Sequence, residues 1–350
     1  TVIAVLRAMG VEADTPEERR DALTRLDEEH WQRVLPPCTV VEEGETVRID
    51  VHVPAGSPVS LDVVLESGER RPATQVDNWT PDREVKGHLR GEASFELTDL
   101  PLGYHRVEAT TGEGVHSAAV IITPEFVGFP PGMRGNRTWG YALQLYSVTS
   151  KRSWGIGDFT DLADLATWAG NEQQAGFVLV NPLHASQAVA PIDSSPYLPS
   201  SRRFLNPLYI RPETVPEYAN LAQPTRRRIR KLRKSVRKRR EVIDRDAVWE
   251  GKREALWELF QAGRRPARQV SLDGFRRRGG SALRDFAVWS VLSEIHGNDW
   301  RLWPEELRDP RSAATEKFAA AQAERVEFFE WLQWTAQQQL SAAQTAAEEA

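Results

Sequence analysis

Three regimes of hydrophobic patterning succeed one another along the chain. In the first 35 residues the reading is helical. Thr15-Pro16-Glu17-Glu18 joins a capping hydroxyl, a proline at the first helical position and a glutamate three residues on, which predicts a helix running towards Val34. Pro36-Pro37 stops it, because proline has no amide proton to donate and its ring clashes with the preceding turn. From Val40 to Ile122 the period drops to two. Val47, Ile49, Val51 and Val53 alternate with Thr46, Arg48, Asp50 and His52, and the sets Leu61, Val63, Leu65 and Ala93, Phe95, Leu97 repeat the pattern. Gly and Pro breaks at 54–58, Gly68, Gly91 and 100–103 separate the runs. Short strands at that spacing predict an antiparallel β-sandwich with one solvated face on each sheet. Gly128-Phe129-Pro130-Pro131-Gly132 reads as the linker that closes this module.

The third regime begins at Trp139. Residues 140–146 read as a strand, followed by a Ser/Gly loop and a helix from about Asp158, with Phe159, Leu162, Ala166 and Ala169 on one face. Gly176 is expected to end that helix, and Phe177-Val178-Leu179-Val180 is the continuous apolar run of a buried parallel strand. The three pieces make a βαβ unit, whose crossover should be right-handed. From Pro224 onwards helical periodicity takes over, with Phe286, Trp289, Leu292 and then Phe329, Leu332, Ala336, Leu340 forming apolar faces.

Composition narrows the class. A chain that is 40% hydrophobic and 27% charged is ordinary for a soluble globular protein. No apolar run reaches the roughly 18 residues of a membrane span, and the opening TVIAVLRAMG does not read as a signal peptide. Cys38 alone cannot form an intramolecular disulfide, which favours a reducing, cytoplasmic compartment. A net charge of -5 gives no global argument for nucleic acid. One local exception is 226–240, with eleven basic residues in fifteen. Ile229, Leu232 and Val236 give it a thin apolar stripe and no aromatic interleaving, so it reads as an amphipathic helix with a solvated charged face rather than a nucleic-acid site.

Self-contained catalytic signatures are missing from the sequence: there is no phosphate loop, dinucleotide fingerprint, HExxH or GxSxG. The seven His are scattered and none pairs at helical ligand spacing, so neither a metal nor an organic cofactor is expected. The informative stretch is 139–210. Ser153-Trp154-Gly155-Ile156-Gly157-Asp158-Phe159 follows the first strand, Asn181-Pro182-Leu183-His184-Ala185 follows the second, and the Ser/Pro/Tyr-rich segment 193–210 comes next. In a parallel α/β barrel such loops leave the carboxyl ends of strands, where sites are built. Ser hydroxyls and a Tyr ring on a Pro-stiffened loop suit a polyol better than a charged ligand. Asp158 stands where a helix cap belongs, and capping is its expected role.

These segments, together with Gln144-Leu145-Tyr146-Ser147, Ser195-Pro196-Tyr197, Asn206-Pro207-Leu208-Tyr209-Ile210, Leu283-Arg284-Asp285-Phe286-Ala287, His296-Gly297 and Trp300-Arg301-Leu302-Trp303-Pro304, occur in an order that resembles the 4-α-glucanotransferase (amylomaltase) family, glycoside hydrolase family seventy-seven. The resemblance covers the whole chain. It implies a helical segment at 1–37, a β-sandwich at 38–124, a linker at 125–138, and at 139–350 the first part of a (β/α)8 barrel with a mainly helical insertion at about 211–340. It also implies transfer of an α-1,4-glucan segment to the 4-hydroxyl of another glucan or of glucose, with retention at the anomeric carbon. Of the family's contacts to the sugar beside the scissile bond, Ser195 and Tyr197 can be carried over, the competing role for Tyr197 being to pack its own loop. The family's nucleophilic Asp, acid/base Glu and stabilising Asp find no matching motif and are expected beyond Ala350, since only two of eight barrel strands can be read. The partners implied are maltooligosaccharides, with no nucleic acid and no membrane; the sequence carries no signal for oligomeric state. The sandwich reads equally as structural or as glucan-binding. An α-glucan hydrolase and a non-catalytic glucan-binding protein are the alternative readings.

Overall fold

In a computed structural model, residues 2–129, 137–237 and 242–350 are described, and the chain divides into two compact units at Phe129.

The first unit opens with α1 (Val2–Ala8) and α2 (Pro16–Gln32). The predicted capping box is present: Glu18 donates its amide to the Thr15 hydroxyl at 3.1 Å, and the Thr15 amide donates to the Glu18 carboxylate at 2.9 Å. The strands are β1 (Cys38–Glu42), β2 (Val47–Pro54), β3 (Val59–Val64), β4 (Arg70–Pro72), β5 (Thr74–Val76), β6 (Arg83–Val85), β7 (His88–Leu97), β8 (Gly103–Thr111) and β9 (Gly114–Thr123). One sheet runs β1-β9-β8-β3-β4. In the other, β7 is flanked by β2 on one side and by β5 and β6 on the other. The alternating residues do what their period predicts: Val47, Ile49, Val51, Val53, Leu61, Val63, Phe95 and Leu97 are all buried in one core. The expected antiparallel arrangement has one exception. β1 pairs with β9 in parallel, Cys38 opposite Ala119 through Glu42 opposite Thr123. Alternation fixes which face of a strand is buried but carries no information about the direction of its neighbour.

The second unit begins with the predicted βαβ: β10 (Gly140–Leu143), α3 (Phe159–Gln173) and β11 (Phe177–Val180), with the strands parallel from Gly140 opposite Phe177 to Leu143 opposite Val180. Two expectations fail here. Gly176 does not end α3; Gln174 does, in the left-handed conformation, and its amide donates to Ala169 and Gly170. Gly176 serves the strand instead, because a Cβ there would overlap the Thr138 hydroxyl. Nor is β11 buried. None of its four residues is, and neither are those of β10, because helices cover only part of this two-stranded sheet.

β12 (His184–Ala185) and β13 (Ser201–Leu205) form a short antiparallel ribbon, and five helices follow: α4 (Gln223–Val236), α5 (Arg245–Gln261), α6 (Pro266–His296), α7 (Ala313–Ala321) and α8 (Ala323–Glu348). α8 crosses α3 and α6, and its Phe328, Trp331, Leu332 and Ala336 join Phe159, Tyr209, Ile210, Leu256 and Leu259 in one core. Two α8 glutamines act as surrogate peptide groups for the segment beside the ribbon. Gln333 accepts the Leu205 amide and donates to the Leu205 carbonyl, both at 2.9 Å. Gln339 does the same for Arg211 at 2.8 and 2.9 Å.

The basic run forms α4 as far as it is described; residues 238–240 lie outside the described residues. Ile229 is buried, while Arg228 pairs with Glu254, Arg233 pairs with Glu213, and Arg227, Arg230, Lys231 and Lys234 are exposed. Among the described residues, no helix is long and apolar enough to cross a membrane.

Candidate functional site

The motif Ser153–Phe159 turns out to be a foundation. Ser153, Trp154, Ile156, Asp158 and Phe159 are all essentially inaccessible to solvent. Asp158 caps α3, accepting the amides of Thr160 at 3.0 Å and Asp161 at 3.2 Å, and its other oxygen accepts from Arg211 Nε at 2.8 Å. Arg211 also pairs with Asp161 at 2.7 Å, and Asp161 accepts from the Ser153 hydroxyl at 2.7 Å. Lys252 of α5 is buried beside them and donates to the Leu208 carbonyl at 2.5 Å. Two carboxylates and two cations thus meet away from water, a neutral group in which each charge has an opposite neighbour. Burial pushes the Asp158 carboxyl up from its ordinary value, with Lys252 and Arg211 opposing. It pulls the Lys252 ammonium down to about 8, with Asp158 opposing. The Trp154 indole donates to Glu213 at 2.8 Å, which Arg233 of α4 also holds. The quartet therefore ties α3 and α5 to the segment 208–211, and the Trp154–Glu213 pair brings in α4.

On this base lies a small cleft lined by residues that follow the carboxyl ends of β10 and β11: Tyr146, Ile156, His184, Ser186, Ile192 to Pro196 and Pro199 of one loop, Asn206, Leu208, Tyr209 and Arg245. Asn181 supports it from beneath. Its side-chain oxygen accepts the Leu145 amide at 2.7 Å, and its amide nitrogen donates to the Pro182 carbonyl at 2.8 Å and the Tyr209 hydroxyl at 3.2 Å. The Arg245 guanidinium lies 5.1 Å from the centre of the Tyr146 ring. Its neighbour Asp246 accepts the Ile192 amide at 2.8 Å, anchoring the loop. Within the loop, Gln187 accepts the Asp193 amide at 3.1 Å, Asp193 accepts the Ser195 amide at 2.8 Å, and the Ser195 hydroxyl accepts the Tyr197 amide at 3.3 Å.

Of the two residues predicted to bind ligand, Ser195 lines the cleft and Tyr197 does not. Tyr197 is 58% exposed. Arg245 and Asp246 escaped the sequence reading: they follow a long basic run and open a helix about fifty residues beyond the loop they serve. Asn181 lay inside a quoted motif, and its signal was an amide side chain at a strand end just before proline. The cleft offers hydroxyls, the rings of Tyr146, His184 and Tyr209, and one guanidinium. Asp193 is the single carboxylate among its lining residues, and it is occupied by the loop. That is the chemistry of binding a neutral, hydroxyl-rich ligand, without the paired carboxylates of glycosidic-bond chemistry.

A β-sandwich unit and an α/β unit, with a cleft at the carboxyl ends of two parallel strands, define a multidomain protein. A family model described as 4-alpha-glucanotransferase matches residues 143–350, and one described as the MalQ N-terminal beta sandwich domain matches residues 34–124. The chain belongs to the 4-alpha-glucanotransferase family. It is 46% identical over 358 residues to a 4-alpha-glucanotransferase of Mycobacterium tuberculosis, covering 99% of this chain and 49% of that protein. A 4-alpha-glucanotransferase of Haemophilus influenzae is 29% identical over 274 residues, covering 71% of this chain and 38% of the relative. Among solved structures, amylomaltase from Corynebacterium glutamicum matches with a TM-score of 0.81 at 35% identity, covering 100% of this chain and 49% of that one. The chain spans about half the length of these mycobacterial and corynebacterial relatives.

Proposed function

We propose that the protein to which this chain belongs transfers a segment of an α-1,4-glucan to the 4-hydroxyl of another glucan or of glucose, in the cytoplasm and without metal or organic cofactor. Within it, residues 139–350 supply the first part of a (β/α)8 barrel, with the helices of about 211–340 as an insertion. The observation that carries this reading is the family match over 143–350, in which Ser195 of the Ser-Pro-Tyr motif lines a cleft suited to sugar hydroxyls. Ser195 and Tyr197 would contact the sugar next to the scissile bond, Ser195 from inside the cleft.

Retaining transfer by double displacement needs a nucleophile and an acid/base set roughly 5–5.5 Å apart on either side of the bond. The cleft has only Asp193, so in this reading the nucleophilic Asp, the acid/base Glu and the stabilising Asp come from sequence beyond Ala350. Two supports favour that reading: among the described residues β10 and β11 are the parallel strands of the second unit, where a (β/α)8 barrel requires eight, and the mycobacterial relative is about twice as long.

Incubating a chain extended to the relatives' length with maltotriose tests the reaction. Glucose together with maltooligosaccharides longer than the substrate is the expected result; glucose and maltose alone would instead mean hydrolysis. Residues 1–350 alone should release neither. In the extended chain, Tyr197→Ala should lower kcat/KM by about ten-fold, roughly 1.4 kcal/mol of transition-state binding. An unchanged value would remove Tyr197 from the site.

A further inference from the structure

The β-sandwich presents an indole to water in a way that packing does not explain. Trp79 is 90% exposed. It stands between β5 and β6, which pair with the same edge of β7, β5 opposite Ser94–Glu96 and β6 opposite His88–Arg90. Residues 77–82, Asp-Asn-Trp-Thr-Pro-Asp, leave that edge and return to it, so Trp79 sits on the excursion rather than in the ladder.

Both neighbours of Trp79 are tied down. The Asn78 side-chain amide donates to Glu92 at 2.9 Å and to Ser94 at 2.8 Å, and its oxygen accepts the Thr80 amide at 2.7 Å. Pro81 fixes the next backbone angle. Leaving a large aromatic ring in water costs burial free energy that a small shift of a loose loop would recover. This loop is not loose.

Asn78 also ends a row of polar groups on the outer face of the sheet. Ser94 donates to Asp50 at 2.5 Å and accepts from Arg48 at 2.9 Å, while Glu92 receives Asn78 on one oxygen and lies 2.9 Å from His52 Nε2 on the other. The side chains of Arg48 and Asp50 remain about half exposed, at 52% and 41%. An isolated ring next in sequence to Asn78, whose partner Ser94 also holds the half-exposed Arg48 and Asp50, with no large apolar side chain elsewhere in 77–82, does not make a protein-docking patch, which needs contiguous apolar surface. It does match a pyranose, whose C–H face stacks on an indole while its hydroxyls reach polar neighbours.

We propose that Trp79 is the platform of a second glucan-binding site, on the β-sandwich, that holds a neutral α-1,4-glucan chain with Arg48 and Asp50 as hydrogen-bonding neighbours. The choice of α-1,4-glucan rests on the function proposed above. The site itself lies on a different unit from the cleft and carries no transfer chemistry.

The test is electrophoresis of the 350-residue chain through native gels with and without soluble amylopectin. A parallel measurement follows protection of tryptophan emission from iodide quenching by maltoheptaose. The unchanged chain should be retarded by the polymer. Trp79→Ala should weaken that retardation by at least about ten-fold, Trp79→Phe should keep part of it, and Tyr197→Ala should keep nearly all. Because Trp79 is exposed, the variants should melt like the parent, which separates lost binding from lost folding. Maltoheptaose should remove one quenchable component in the parent and none in Trp79→Ala. The proposal is overturned if the parent is not retarded, if Trp79→Ala is retarded like the parent, if Tyr197→Ala alone abolishes binding, or if only glucans of another linkage bind. None of these outcomes bears on glucose release from maltotriose by the extended chain, so failure here and failure of the proposed reaction are read separately.

Discussion

Lys252 is a residue whose chemistry distinguishes the folded from the unfolded chain. Its ammonium is wholly buried, and burial draws its pKa to about 8 from 10.5 despite Asp158, with Arg211 adding to the fall and Asp161 and Glu213 opposing it. Between pH 8 and 10 the unfolded chain keeps a proton that the folded chain releases, so the free energy of unfolding rises with pH in that window. Above it, Tyr209 works the other way, since burial raises its phenol and favours the protonated, folded form. The expected gain from pH 8 to 10 is roughly 2 kcal/mol, one pKa unit being worth about 1.4. Urea unfolding followed by tryptophan emission reads the second unit, because all Trp but Trp31 and Trp79 lie there. Lys252→Met should abolish the increment; a variant with the parent's slope would place the titration elsewhere. Nothing in the sequence singled out this lysine. Its acceptor, Leu208, is 44 residues away, and a charged residue in a charged helix reads as surface until the fold closes over it. Ser195, by contrast, was nominated only through the resemblance of its Ser-Pro-Tyr motif to the family, and the structure places it in the lining of the cleft.

Elements were legible wherever their signals are local. The α2 capping box, the alternation of β2 and the apolar face of α3 need only neighbours along the chain, and each formed as the pattern predicts. Signals that depend on what arrives from far away were misread. Gly176 looked like a helix stop, yet Gln174 takes the left-handed turn and Gly176 makes room for Thr138. Gly157 shows the same logic at the turn from β10 into α3. A Cβ there would overlap the carbonyl oxygens of Leu145 and Val148, and the Gly157 amide donates to the Tyr146 carbonyl at 3.0 Å. Backbone on both sides leaves no flexible atom to yield. Gly157→Ala should therefore cost about 3 kcal/mol or more and lower the melting temperature of the second unit. Gly112→Ala, at a position with no atom near the added methyl, serves as the control. Equal losses in the two variants would show that overlap with the two carbonyl oxygens does not set the requirement.

At the scale of the whole molecule, the two units differ in how completely their sequence patterns are satisfied. In the sandwich every alternating apolar set finds a core. In the second unit Phe177 and Leu179 are 42% and 61% exposed on a two-stranded parallel sheet, although parallel strands normally have both faces covered. The apolar run was read as a buried strand, and among the described residues that burial is not found. An apolar groove between α3, β11 and the end of α8 runs along the same region. If residues 139–350 are the opening part of a barrel, the remaining strands belong against β10 and β11, and the exposed faces become interior. Hydrogen exchange distinguishes this from a sheet complete as it stands. In the 350-residue chain, amides of 140–143 and 177–180 should exchange far faster than those of the α8 core, since opening two strands breaks few contacts. In a chain extended to the relatives' length the same amides should slow by at least about a hundred-fold, while those of the sandwich stay unchanged. Equal protection in both chains would mean that nothing further packs on this sheet, and the barrel reading would fall with it.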